Sequence, residues 1–400
     1  MGAQIFFSRR FGDNLSVNRS LWAPAFDRLF AAQLGADRAY PEFLSSVSGA
    51  WVEPGPDGGV FGSPRTYHAA YFVPQRMVTE FQRTPAPDKF AAVRVDYARQ
   101  TPGSTGRVFV APMPGDTWIP TWGEQIGFGL PFTQTAYLNT DDGVRWVRMM
   151  QETSADGRPH RTEGRPTTYR AGRTTIERWN LGVFGPAYDP SPTELTGLSR
   201  TGDTIDVRVR PLGDHLGRPG FGPGLKVRSA LYRDGTLVTE KPTLYPSFTV
   251  PPDRATYRVE TQAVRGEPYP STRVSSAWTF RSEHVTGPAG VRLPAAVIGF
   301  TPPLSRENTA PGAVPYFVPV IVRQTPESGA DQRLKDLSVE VSYDDGATWR
   351  TPKLVRTPTG GVVRVDNPAS GHVSLRAKAT DASGNTVEQT IIRAYRTTGG

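Results

Sequence analysis

Cysteine is absent from all 400 residues, which excludes a disulfide framework, a thiolate metal site and a cysteine nucleophile together. Lysine is scarce. Lys89, Lys226, Lys241, Lys335, Lys353 and Lys378 are the only ones, so arginine carries most of the 46 basic residues and the net charge of +8. These arginines are interspersed with acids, as over Asp203–Arg210 and Arg254–Glu260, and form no basic block; nucleic acid is not an expected partner. No apolar run approaches the ~20 residues that span a bilayer, so no membrane span is expected.

Catalytic signatures are lacking too. The five histidines are His68, His160, His215, His284 and His372, none of them in a His-Gly-Thr-His context. No serine occupies a Gly-Thr-Ser-Met-Ala or Gly-x-Ser-x-Gly elbow, and there is no His-Glu-x-x-His helix, P-loop or dinucleotide fingerprint. Only His68 and His372 fall in strand-like runs, and isolated surface or half-buried histidines are expected. Catalytic, cofactor-binding and metal-ligating residues are therefore expected to be none, and no cofactor is implied. At the amino terminus Ile5-Phe6-Phe7 precedes Arg9-Arg10, the reverse of a signal peptide's charge order, so an export signal is expected upstream in a longer precursor.

What the chain has in quantity is turn chemistry. Its 41 glycines and 38 prolines are scattered between short alternating apolar runs, the mark of many short strands. Phe90–Tyr97 sets Val93, Val95 and Tyr97 against Arg94 and Asp96; Leu337, Val339 and Val341 alternate with Ser338 and Glu340. Similar runs recur every 10–20 residues from Thr204 to Arg393. The expected fold is all-β, with tandem antiparallel sandwiches of immunoglobulin or fibronectin type. Expected divisions are an amino-terminal segment 1–88 with a helix over 24–34 beginning at Pro24, a β-rich domain 89–195, a sandwich 196–288 and a second sandwich 289–397.

One motif is sharp. Ser342-Tyr-Asp344-Asp-Gly346-Ala-Thr348-Trp349 resembles the Asp-box of sialidases and related propellers, with a weaker echo at Asn139-Thr-Asp-Asp-Gly-Val-Arg-Trp146. Two copies so far apart do not make a propeller. The expected role is a structural hairpin, with Asp344 accepting backbone N–H groups, Gly346 at positive φ and Trp349 packed beneath. The adjacent acids Asp344 and Asp345 should point apart, a poor arrangement for acid–base work. Asp381-Ala-Ser-Gly-Asn385 reads as a turn with too few carboxylates for calcium. Trp118 and Trp122, in a Pro/Gly-rich segment, are either a buried satellite cluster or faces on which a ligand stacks.

The stretches ATYRVETQAVRG, STRVSSAWTFRSEH, LSVEVSYDDGATWR and GHVSLRAKATDASGNTVEQTIIRAYR are similar to the end of large secreted subtilisin-like serine peptidases of actinobacteria. AAVRVDYARQ and TYRAGRTTIERWNLGVFGP resemble segments that precede those sandwiches. The resemblance spans about residues 90–397. It implies a secreted, extracellular protein whose Asp-His-Ser triad belongs to an upstream catalytic domain, since none of the triad motifs occurs here. The chain is then a non-catalytic accessory region that stabilises the enzyme or presents an extracellular protein substrate, either as a fragment or as a stand-alone protein. The alternative is a binding module for extracellular or cell-wall glycan, using Trp118 and Trp122.

Overall fold

The computed structural model describes residues 3–11, 15–23, 44–74, 85–113, 124–188, 195–222, 224–325 and 328–399. Among them the protein is all-β, with only the single 3-10 turns Pro87–Lys89 and Asp141–Gly143 as helical elements. The expected helix over 24–34 lies outside the described residues, as do Trp118 and Trp122; the preceding Arg19–Ala23 belong to the strand Leu15–Ala23. The chain divides into two units. One comprises residues up to Tyr97 with 103–152 and 163–179, the other residues 98–102, 153–162 and 180 onward.

In the first unit a five-stranded sheet runs Thr174–Trp179, Phe90–Tyr97, Phe132–Asn139, Arg65–Pro74, Leu44–Val52. Thr174–Trp179 lies parallel to Phe90–Tyr97, and Arg65–Pro74 parallel to Phe132–Asn139. Arg145–Thr153, Thr105–Met113 and Glu124–Gly129 are neighbours in a second sheet. Alternation places Val93, Val95 and Tyr97 inside and leaves Arg94 exposed, as the pleat demands. Phe128 fills the interior, stacked on Phe132 at 4.7 Å and tilted against Tyr97 at 4.8 Å. The unit also buries charge. Arg148, 4% exposed, meets Glu177 at 2.5 Å, and Tyr169 Oη and Trp179 Nε1 donate to the same carboxylate at 2.6 and 2.7 Å.

The second unit is organised by an eight-stranded sheet. Its strands follow the order Thr236–Lys241, Lys226–Arg233, Ala255–Val264, Arg273–Ser282, Thr386–Thr398, Gly371–Asp381, Leu334–Ser342, and Thr309–Pro311 adds parallel to Thr386–Thr398. Two four-stranded sheets accompany it. One contains Thr204–Arg208 and Gly197–Thr201; the other contains Val297–Phe300, Pro315–Arg323, Gly360–Asp366 and Leu354–Thr357. Leu337, Val339 and Val341 are buried with Val318, Val320, Val363 and Leu375 in one core, while Ser338 is exposed. Each such aliphatic side chain contributes about 1.5–3 kcal/mol on burial. The boundary anticipated between residues 288 and 289 is crossed by the sheet itself, because Arg273–Ser282 pairs with Thr386–Thr398 from Arg273↔Ile392 to Thr279↔Thr386.

Candidate functional site

Turns in the second unit place the side chains that matter. The Asp-box sequence closes a hairpin after the strand Leu334–Ser342, with Val341 bridged to Arg350. Ser342 Oγ donates to Asp344 Oδ1 at 2.7 Å and accepts the Gly346 N–H at 2.8 Å. Thr348 gives its N–H and its hydroxyl to the two oxygens of Asp344 at 2.9 and 2.5 Å. Gly346 has φ +90, and the Trp349 indole N–H donates to its carbonyl at 3.0 Å. The Arg376 guanidinium covers the Trp349 ring at 4.5 Å. The five residues singled out by the motif are thus brought together as a hairpin, and the adjacent acids do diverge: Asp344 turns into the loop and Asp345 binds Arg393. The echo makes a similar local turn, with Asn139 donating to Asp141 at 3.0 Å, but its Trp146 indole N–H donates to the Asn139 carbonyl.

The Thr348 and Ser342 donors hold the Asp344 carboxyl down to about 2. With its folded value depressed, its stabilisation is present above the ordinary value of about 3.9 and is lost as pH falls through about 2. Acid titration followed on the Trp349 indole N–H resonance should show the hairpin loosening between about pH 4 and about pH 2. In Asp344→Asn that step should be absent. A Trp349 signal equally acid-sensitive in the variant would contradict this origin.

Arg393 carries the hairpin to a pocket. It stands where the pairing of Gly371–Asp381 with Thr386–Thr398 changes register, between Val373 and Leu375, and such irregularities re-aim side chains. At φ 53 its guanidinium donates to Asp345 at 2.7 and 2.9 Å and pairs with Glu267. The pocket beside it measures about 240 Å³ and is lined by residues 99–102, 267–270, Glu307, Asn308, His372, Arg393 and Arg396. A buried amide network fixes its floor. Gln100 Nε2 donates to Asn180 Oδ1 at 2.7 Å, and Asn180 Nδ2 to the Ala98 carbonyl at 2.8 Å. Asn308 Nδ2 donates to the Arg99 carbonyl at 2.8 Å, while its Oδ1 accepts the Gly182 N–H at 2.6 Å. Arg265 ties Gln100 to the Pro270 carbonyl at 2.8 Å each and lies over the Tyr269 ring at 5.1 Å.

Backbone strain concentrates around this pocket. Of the seven described non-glycine residues at positive φ, Asn308 and Arg393 line it, and Asn180, Ser271 and Asp345 each hydrogen-bond to a residue that lines it. Each such residue costs about 1–3 kcal/mol and persists where its surroundings over-determine it, most often at binding and catalytic sites. Among the lining ions, Arg99 pairs with Glu307 and Arg393 with Glu267. Exposed Arg396 has no such partner among the described residues; it faces His372 across the strand pair as its Cα partner. Burial and the Arg396 charge lower the His372 imidazole below its ordinary value, against the raising effect of Asp345.

The histidines do not build a hydrolytic triad among the described residues. His68 is buried, bonds Thr66 Oγ1 at 3.0 Å and is pushed down to about 3 by desolvation and then by Arg148. His160, expected in an irregular stretch, lies buried on the strand Pro159–Glu163 with its ring edge-on to Phe184 at 5.5 Å. Its inward neighbour is Thr162, so the alternation there carries no hydrophobic signature. His284 Nδ1 bonds Asp203 Oδ1 at 2.9 Å, half of a triad, but no described hydroxyl hydrogen-bonds its Nε2. No group of three or more His, Asp or Glu among the described residues could hold a metal, and no helix among them is long and apolar enough to cross a membrane.

Sequence reasoning missed the pocket, whose residues come from segments far apart in the chain. The local signals were asparagines between strands, which tolerate the left-handed region, and the Pro-rich stretch Glu267–Pro270. No family model matches the chain, and no curated protein matches it.

Proposed function

We propose that this chain is the non-catalytic C-terminal accessory region of a secreted subtilisin-like serine peptidase, built of tandem immunoglobulin-like sandwiches, and that it holds polypeptide substrate for a catalytic domain carried upstream. The ordered segments that resemble such peptidases support the family. The pocket at Arg393 and Arg396 supports the role: its ions are largely spent on one another, and His372 hydrogen-bonds neither hydroxyl nor carboxylate among the described residues. Such a lining binds and orients; it does not activate a nucleophile.

Joining the chain to a subtilisin-like catalytic domain tests the role. The KM for casein should fall about fivefold, roughly 1 kcal/mol of added binding, with the kinetics on a small chromogenic peptide unchanged. Identical casein kinetics with and without the chain contradict the substrate-holding role, and retention on insoluble polysaccharide would then favour the glycan-binding alternative.

A further inference from the structure

We propose that the pocket of about 240 Å³ receives the free C-terminal carboxylate of a polypeptide, with Arg396 as its cation. The inference rests on the substrate-holding reading and names the group that is held. Three features of the lining point to this ligand. First, Arg99 and Arg393 are committed to Glu307, Glu267 and Asp345, whereas Arg396 is exposed and lacks a carboxylate partner among the described residues. The half-buried His372 ring opposite it makes no hydrogen bond among the described residues, so it adds an N–H donor beside the guanidinium. An arginine fork with a second donor is suited to a planar carboxylate.

Second, the volume lies below the ~300 Å³ at which sites for drug-sized ligands begin, a size suited to the end of a chain. Third, the remaining lining matches what precedes a terminal carboxylate. Pro102, Pro268 and Pro270 offer apolar surface to the last side chain, and the Glu267 and Glu307 carboxylates can accept backbone N–H groups. The buried amide network behind Arg99 and Gln100 holds this arrangement before any ligand arrives, which lowers the ordering cost of binding. An endopeptidase releases a new α-carboxylate with every cut, so a site of this kind would retain cleaved chains beside the enzyme.

The test uses the full chain and fluorescein-labelled short peptides of one sequence in three forms, read by fluorescence anisotropy. These are the free C-terminal acid, the C-terminal amide, and the amide with a glutamate near its end. The free acid should bind, and both amides should bind at least about tenfold more weakly. Arg396→Ala should weaken the free acid by a similar factor, and Arg396→Lys should restore part of it. Equal binding of acid and amide, no binding of any form, or an unchanged Kd in Arg396→Ala overturns the inference. So does binding of the glutamate-bearing amide as tight as the acid, or displacement of the acid by an oligouronate at equal concentration. The acid–amide comparison needs no variant, so folding of Arg396→Ala does not decide it. Failure here leaves the casein KM effect standing, whereas an unchanged casein KM with intact acid selectivity would remove the accessory role and keep the site.

Discussion

Replacing Glu177 by glutamine should destabilise the first unit by about 3–5 kcal/mol, because it strands a guanidinium inside the protein. Arg148 is 4% exposed and has Glu177 as its ion-pair partner, and two of its nitrogens, Nε and Nη2, have no hydrogen bond among the described residues. The carboxylate also collects the Tyr169 hydroxyl and the Trp179 indole N–H, so one substitution disturbs three donors. Urea unfolding followed by tryptophan fluorescence should show it, since Trp146 and Trp179 are both buried in that unit. With two units present, the transition of the first must be fitted separately. The double variant Arg148→Met with Glu177→Leu should cost much less, as apolar replacements of buried pairs often do. A loss below about 1 kcal/mol in Glu177→Gln would mean that water reaches Arg148.

In the second unit the largest effect belongs to Trp278. It is fully buried, its indole N–H donates to the Ala296 carbonyl at 2.8 Å, and it pairs with Val259 on one side and Val387 on the other. That position is where the strands from the middle of the chain meet those from its end. Trp278→Ala should cost about 3–5 kcal/mol in that unit through the cavity and the orphaned carbonyl. Differential scanning calorimetry should show the transition of the second unit moving down, with that of the first in place. Trp278→Phe should recover most of the loss. Movement of the first unit's transition by as much as the second's would contradict a loss confined to the second unit.

The strands were legible wherever one face is apolar. FAAVRVDY and LSVEVS alternate inside and outside as read, because a pleated strand exposes its period directly in the sequence. The Asp-box was legible for a similar reason: the side-chain hydrogen bonds of Ser342, Asp344, Thr348 and Trp349 join residues no more than four apart. His160 escaped notice since the inward positions of its strand are polar. Long-range pairing was not legible at all. Nothing local states that Thr174–Trp179 lies parallel to Phe90–Tyr97, or that Arg273 meets Ile392. The pocket depends on both kinds of information. Its walls come from residues 99–102, 267–270, 307–308, 372, 393 and 396, and only the fold brings Arg396 across from His372.

The most direct measurement incubates the purified chain with labelled casein and follows fragmentation with and without a serine-directed inhibitor. A binding module of the kind proposed leaves casein intact under both conditions. Fragments that appear without the inhibitor and vanish with it would show a working nucleophile in this chain, and would contradict its assignment as non-catalytic.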